Sequence, residues 1–412
     1  MGDDGGGPAM RNTNRRLVIL VSAVAVAAVA IGGALAYRTG PAEAEGRAAP
    51  LTGTPTPTPA PTPTPAVSRT PIVSRTPSAT PPPSIRTPPS PTATVTGPTK
   101  VTLTVSKLPE GREPQVPYLV DREIRGGSGD VVKLPGTGGV IAVGRLGEGA
   151  LAIVQDGNDG TELLKTQYDK VVRRTPGVSS LVTTRDQSAA AYAAARISSM
   201  GQAVKGGTVY AETTSSLKSL KLPDSWNLQV LAFADGKVYY RAASTEDGAW
   251  TLYSWTPGAS SGVKLKSVVS PTAVSANGRV SASMGTLNDS GSCSSVVEIG
   301  TGRQLFRTCE NMVSGFTPDG STAIGGSAYG DGYCDTVQVA LDVGTGKLLR
   351  EWKGCFHQSV AEDDQHVLIV AVASGGGGDP GTKSAIIRCT ISTGACELAT
   401  SISTDKALRI GT

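Results

Sequence analysis

Two histidines are all that this 412-residue chain contains, which excludes triple-histidine zinc chemistry. Charged residues make up 17% and the formal net charge is only +4, small for the length. Aromatic residues are 4%, whereas 51 Gly and 28 Pro point to a loop-rich, sheet-forming chain rather than a helical bundle. No cysteine precedes Cys293, so a lipid thioester anchor near the amino terminus is ruled out. The six cysteines contain no CxxC pair, which removes the dithiol redox motif and the usual signature of a cysteine-ligated metal. No cofactor is expected.

One long hydrophobic run is present. Residues 17–37, LVILVSAVAVAAVAIGGALAY, are free of charge, and as a helix they would span roughly 31 Å, the thickness of a bilayer core. Arg11, Arg15 and Arg16 precede the run, so the positive-inside bias places residues 1–16 in the cytoplasm and the rest of the chain outside. The small-x-small sequences Ala34-Leu35-Ala36 and Ala42-Glu43-Ala44 offer cleavage sites, but the run is longer than a secretory h-region and reads as a retained anchor. The expected location is the cell membrane, single-pass, with an extracytoplasmic domain.

Residues 38–112 read as a disordered linker. Sixteen prolines fall between Pro50 and Pro98, interleaved with Thr, Ser and Ala. Such a segment cannot bury a core and favours extended polyproline II, a spacer of about 150 Å. Its Thr and Ser density suits O-glycosylation. Residues 1–112 carry eleven basic and five acidic side chains, which leaves 27 against 29 in residues 113–412. The globular part is therefore no basic nucleic-acid binder.

Within 113–412 a turn recurs about every forty residues. It reads FADG ending at Gly236, SANG at Gly278, TPDG at Gly320 and AEDD at Asp364, with weaker counterparts at 181–187 and 144–149. Asp/Asn-Gly favours a tight hairpin because both residues tolerate positive φ. A second turn lies halfway through each later repeat, at Gly300-Thr301-Gly302, Gly344-Thr345-Gly346 and Ser392-Thr393-Gly394. Each unit thus reads as four antiparallel strands, a β-propeller blade. The units run over 139–175, 177–224, 226–268, 271–310, 312–354 and 356–403. Residues 116–135 supply two further strands, and pairing them with the carboxyl-terminal end closes a seventh, composite blade; six blades is the alternative. The expected fold is an all-β, seven-bladed propeller behind one transmembrane helix and a stalk. Ala189 to Arg196, AAAYAAAR, prefers a helix by composition and is assigned to a strand on the repeat alone.

This arrangement resembles the WD40-like and TolB-like propeller proteins that actinobacteria display behind a single membrane helix and a Pro/Thr linker, over about residues 113–412. The resemblance implies a scaffold or interaction domain. The stretch from Ala340 to Gly346 followed by Trp352 also looks like the repeat of quinone-type propellers, but Trp352 falls two positions late and the neighbouring units carry Glu298 or Ile391 in place of the Asp. A quinone dehydrogenase is disfavoured.

The cysteines fit the hairpins. Cys293 and Cys309, Cys334 and Cys355, and Cys389 and Cys396 are each centred within half a residue of a TG turn. A centred pair faces across two antiparallel strands at a separation that a disulfide accepts, so these three pairings are predicted.

Chemistry is sparse. His357 and His366 flank the AEDD turn with no nucleophile elbow nearby and read as turn-flanking polar residues. Asp156, Asn158 and Asp159 offer calcium-type oxygens, but Gly160 takes the fifth place of the loop and no Glu the twelfth. The Asp331 to Asp335 segment stands no higher as a calcium ligand set, and Gly375 to Gly378 read as a flexible loop. Tyr239, Tyr240, Trp250, Tyr253 and Trp255 cluster in one unit and read first as core, second as a partner surface. The preferred function is a non-catalytic, membrane-anchored scaffold that binds an envelope protein or cell-wall glycan. A hydrolase or lyase with a site at the channel mouth and a purely structural envelope component are the alternatives. Opposed pKa shifts on converging carboxylates would favour the enzyme.

Overall fold

The alternation of short apolar runs with Gly-bearing turns produces antiparallel sheets throughout a computed structural model that describes residues 95–155, 160–197, 203–285, 292–329, 332–376, 379–404 and 407–411. The expected cytoplasmic tail, membrane helix and the linker as far as residue 94 lie outside the described residues, as do Asp156, Asn158, Asp159 and Asp331.

Four sheets are consecutive four-stranded meanders. The first comprises Val140–Leu146, Gly149–Gln155, Thr161–Gln167 and Lys170–Pro176. The second comprises Val178–Thr183, Ala189–Ile197, Ala203–Thr213 and Leu217–Leu222. The third runs through Trp226–Ala234, Lys237–Ala243, Thr251–Trp255 and Val263–Val269, and the fourth through Pro271–Val274, Val280–Met284, Ser294–Glu298 and Gln304–Thr308. The fifth and sixth units are fused into one nine-stranded sheet. The 14-residue strand Leu348–Ala361 pairs with Asp335–Asp342 on its early half and with His366–Ser374 on its late half, so the boundary read at residue 354 is a continuous strand.

The last sheet joins the two ends of the fold. Tyr118–Val120 pairs antiparallel with Leu408–Ile410 and with Glu123–Arg125, which pairs in turn with Val132–Lys133. Three strands, not two, come from the amino-terminal side.

Turn chemistry sets the registers. Asp235 and Gly236 both have positive φ and close a two-residue hairpin between Ala234 and Lys237. Gly302, Gly346 and Gly394 adopt φ of 72°, 72° and 79°, and their N–H groups donate to the carbonyls of Glu298, Asp342 and Thr390 at 2.7–2.8 Å. Ala189–Ile197 is a strand despite its helical composition. Ala190 to Ala193 are fully buried between two neighbouring sheets, and packing of both faces overrides intrinsic preference.

Burial on both faces recurs in every unit and explains why the strands alternate so little in polarity. Leu151 and Ile153 of the first sheet pack against Leu181 and Tyr192 of the second. Val209 of the second meets Tyr240 and Trp255 of the third, and Tyr239, on the opposite face, meets Val274 and Val297 of the fourth. Val296 packs with Val313 and Val339 of the fifth unit, whose Trp352 packs with Val367 and Ile369 of the sixth. Leu368 and Val370 then meet Tyr118 and Ile410, while Leu119 and Ile124 meet Val143 and Ala152 of the first sheet.

The linker expected to run to residue 112 ends earlier. Lys100–Thr102 adds a parallel strand to Glu351–Lys353, and Glu110 bridges Leu398 in parallel. Val101, Leu103, Val105 and Leu108 pack on the core shared by the fifth and sixth units. The alternating sequence KVTLTV from residue 100 is the cause, since it follows the Pro-rich stretch that ends at Pro98 with a half-buried strand pattern. Buried Arg350 fixes this strap by donating to the carbonyls of Thr96 at 2.9 Å and Ile391 at 2.9 Å, and also to those of Pro98 and Ser392.

The three expected disulfides are present, Cys293–Cys309, Cys334–Cys355 and Cys389–Cys396, with Cα separations of 4.0, 5.4 and 4.1 Å. Each links the third and fourth strands of the fourth, fifth or sixth unit across its own hairpin, as the Cys389↔Cys396 register illustrates.

Candidate functional site

The hairpin turns between first and second strands touch one another. Asn277 Nδ2 donates to the Asp319 carbonyl at 2.6 Å, and the Asp319 N–H donates to Asp364 Oδ1 at 2.9 Å. Gly147 N–H reaches the Gln187 carbonyl at 2.8 Å. From the second sheet, Arg185 Nη2 donates to the Glu362 carbonyl of the sixth unit at 2.6 Å.

At this junction the AEDD turn gathers Glu362, Asp363 and His366, whose ligand-type atoms lie within 4.8 Å of one another. The geometry is that of a candidate metal site; the electrostatics are not. Glu362 is 0% exposed and forms a bidentate pair with Arg388, through Nη2 to Oε1 at 2.8 Å and a second contact from Nε to Oε2. It also accepts the Gln115 N–H at 2.7 Å, with Arg112 Nη2 at 3.7 Å. Asp363 accepts the N–H groups of Gln365 and His366 at 2.8 and 2.7 Å, and His366 Nδ1 lies 2.8 Å from its Oδ1. Burial would raise the Asp363 pKa, but these partners outweigh it and hold the carboxyl below its ordinary range. Two guanidinium groups already neutralise the cluster, so a cation entering it would meet positive charge. Arg388 extends the network to Glu397 at 2.7 Å and to the carbonyls of Arg112 and Glu113.

His357 stands apart from His366. Its ring meets Tyr333 edge-on at 5.4 Å, and surrounding protein, followed by nearby Arg409, pulls its pKa below the ordinary value. The described residues bring no Ser–His–carboxylate arrangement to either histidine. Asp335 sits at the start of a strand beside Gln338, and Gly375 and Gly376 lead into the loop between His366–Ser374 and Lys383–Thr390.

The aromatic cluster is mainly core. Tyr239, Tyr240 and Trp255 are buried, and Tyr240 stacks on Tyr253 at 5.2 Å. Trp250 lies under the Arg241 guanidinium at 3.7 Å, and burial pushes Arg241 down to about 10.

A second ion cluster, not evident in the sequence, lies between the first and second sheets. Buried Glu212 accepts Lys165 Nζ at 2.7 Å, Arg173 Nη1 at 3.0 Å and Tyr192 Oη at 3.0 Å. These residues are 20 to 47 positions from Glu212, and only the pairing of neighbouring sheets unites them. Burial favours the neutral acid, but Arg173 and Lys165 overcome it and hold the Glu212 pKa below its ordinary 4.5. A lowered native pKa gives stability that is complete above 4.5 and disappears as pH falls through the native value. The urea midpoint of Glu212→Gln is therefore expected to lie below wild type at pH 7 and to approach it below pH 4; a constant gap across that range would refute the assignment.

Clefts are present among the described residues. One of about 300 Å³ is lined by Lys100, Asn311, Ser327, Val337, Leu348 and Glu351, and one of about 550 Å³ by Pro176, Ala195, Arg196, Gly206, Lys221 and Pro223.

No family model matches the chain, and no curated protein matches it. Among solved structures it is similar to an uncharacterized protein from Listeria monocytogenes EGD-e, at 11% identity over 66% of this chain and 83% of that one, with a TM-score of 0.42. It is similar to TolB from Acinetobacter baumannii at 12% identity, over 60% and 67% of the two chains, with a TM-score of 0.37. The WD40 repeats of RRP9 share 12% identity over 71% and 86%, with a TM-score of 0.44.

Proposed function

We propose that the chain is a membrane-anchored, non-catalytic propeller that binds an envelope protein or cell-wall glycan outside the cell. The seven four-stranded units form a closed ring in this reading, with the composite sheet between the sixth and first units. Its support is the series of buried clusters that runs from each unit to the next and from Ile124 back to Val143. The uncharged run at residues 17–37 and the arginines before it support the anchor.

The observation that carries the non-catalytic reading is the neutralised Glu362–Asp363–His366 cluster. Its carboxylates are bound by Arg388 and Arg112, and its histidine is held by Asp363. A carboxyl that acts as a general acid near neutral pH needs a raised pKa, whereas the described Asp and Glu residues with a resolved shift, Glu123, Asp186, Glu212, Glu298, Asp319 and Asp363, are all lowered.

The test is affinity capture from solubilised envelope with the full-length, oxidised chain in detergent. Recovery of a specific protein or glycan that survives Asp363→Asn and His366→Gln is expected. Hydrolysis or lysis of envelope polymers that those two substitutions abolish would overturn the reading.

A further inference from the structure

We propose that the outer edges of the first three sheets form one basic arc that holds an anionic glycan. This inference rests on the binding role above and names the chemistry of its ligand. The last strand of each sheet, Lys170–Pro176, Leu217–Leu222 and Val263–Val269, is a sheet edge. Together these strands carry seven Lys and Arg and no acid. Arg173 and Arg174 are bound to Glu212 and Glu162. Lys170, Lys218, Lys221, Lys264 and Lys266 are exposed and enter no ion pair among the described residues.

Of the flanking acids, Asp224 pairs with Lys205 at 2.7 Å, and Asp169 forms no ion pair with neighbouring Lys170 but accepts the backbone N–H of Lys133 at 3.1 Å. The other outer strands differ. Gln304–Thr308 of the fourth sheet carries a single cation, Arg307, Lys100–Thr102 covers the outer strand of the fifth unit, Glu397 lies on that of the sixth, and Lys133 of the composite sheet faces Glu123. The globular region as a whole has slightly more acid than base, so the arc is a local segregation of charge and not a reflection of composition.

Edge lysines also discourage strand-to-strand aggregation, but that role asks nothing of the surface beside them. Here the 550 Å³ cleft lies beside the outer strands of the first and second sheets. Its lining combines the apolar Pro176, Ala195 and Pro223 with Lys221 and Arg196. Apolar lining suits the face of a sugar ring, and the cations suit its carboxylate or phosphate substituents. A polymer of repeating anions would engage the cleft and the lysines beyond it, with salt-dependent affinity from counterion release.

The full-length chain in neutral detergent should retain polygalacturonate and release dextran, with affinity that falls as salt rises. Changing Lys170, Lys218, Lys221, Lys264 and Lys266 together to Gln should weaken binding about tenfold or more at 0.1 M salt and flatten the salt dependence. Lys237→Gln with Lys347→Gln, on other surfaces, should leave both unchanged. Matching circular dichroism and unfolding midpoints establish that each variant is folded. Equal losses in the two sets would overturn the arc, as would tighter binding to phosphatidylglycerol vesicles than to polygalacturonate. Polyphosphate binding as tight as polygalacturonate would overturn the glycan assignment. Envelope capture undiminished in the five-site variant would remove the arc and leave the binding role standing; absence of capture by the unaltered chain would remove the role itself.

Discussion

Arg388→Met is expected to destabilise the globular region by about 3–5 kcal/mol, among the largest effects of any single substitution in this chain. Register is the origin. Ile386 and Arg388 share a face of Lys383–Thr390, and on that face Ile386 belongs to the apolar cluster with Tyr118 and Ile410 while Arg388 meets fully buried Glu362. Loss of the guanidinium leaves that carboxylate with the Gln115 N–H and the half-exposed Arg112 at 3.7 Å. It also frees the carbonyls of Arg112 and Glu113, which lead into the composite sheet. Urea unfolding at pH 7 should show a lower midpoint with an unchanged slope. Arg388→Met combined with Glu362→Leu should recover most of the loss, because an unpaired buried charge costs more than no charge at all. A single-variant loss below about 1 kcal/mol, or no recovery in the pair, would refute this account of the cluster.

The same cluster marks the limit of what the sequence discloses. Repeats, turns and cysteine pairings are local, because Asp235-Gly236 or Gly346 need only their own hairpin to act. The AEDD turn was legible in this way, and His366 beside it. Arg388, Arg112 and Gln115 reach Glu362 from 26, 250 and 247 residues away, and a single sequence contains no signal for such a meeting. Glu212 was hidden for the same reason. Ala189–Ile197 shows the converse, in which a local preference for helix is misleading and the forty-residue period is the better guide. The strap is readable only in part. Its KVTLTV alternation is a strand pattern, but sixteen prolines upstream weight the whole segment toward a spacer.

Complete reduction should remove about 9 kcal/mol of stability, which is comparable with the whole folding free energy of a typical domain. The loops closed are 16, 21 and 7 residues long, and loop-closure entropy assigns them about 3.1, 3.3 and 2.4 kcal/mol. The effect should not be spread evenly over the fold. All three bonds lie in the fourth, fifth and sixth units, and Cys334–Cys355 and Cys389–Cys396 lie in the two units that also carry the strap. Reduction therefore weakens the part of the domain that carries the strap, while the first three sheets hold no disulfide and depend on packing and on the Glu212 ion cluster. Access orders the process in a different sequence from stability. Cys309 is exposed, whereas Cys389 is 0% exposed within the core beneath the strap. Under limiting reductant, thiol alkylation followed by mass spectrometry should find Cys293 and Cys309 labelled first and Cys389 and Cys396 last. Replacing Cys334 and Cys355 together by Ala should lower the unfolding free energy about 1 kcal/mol more than the same change at Cys389 and Cys396. If the shortest loop instead proves the most stabilising, its contribution comes from packing in the core of the sixth unit and the entropic account fails.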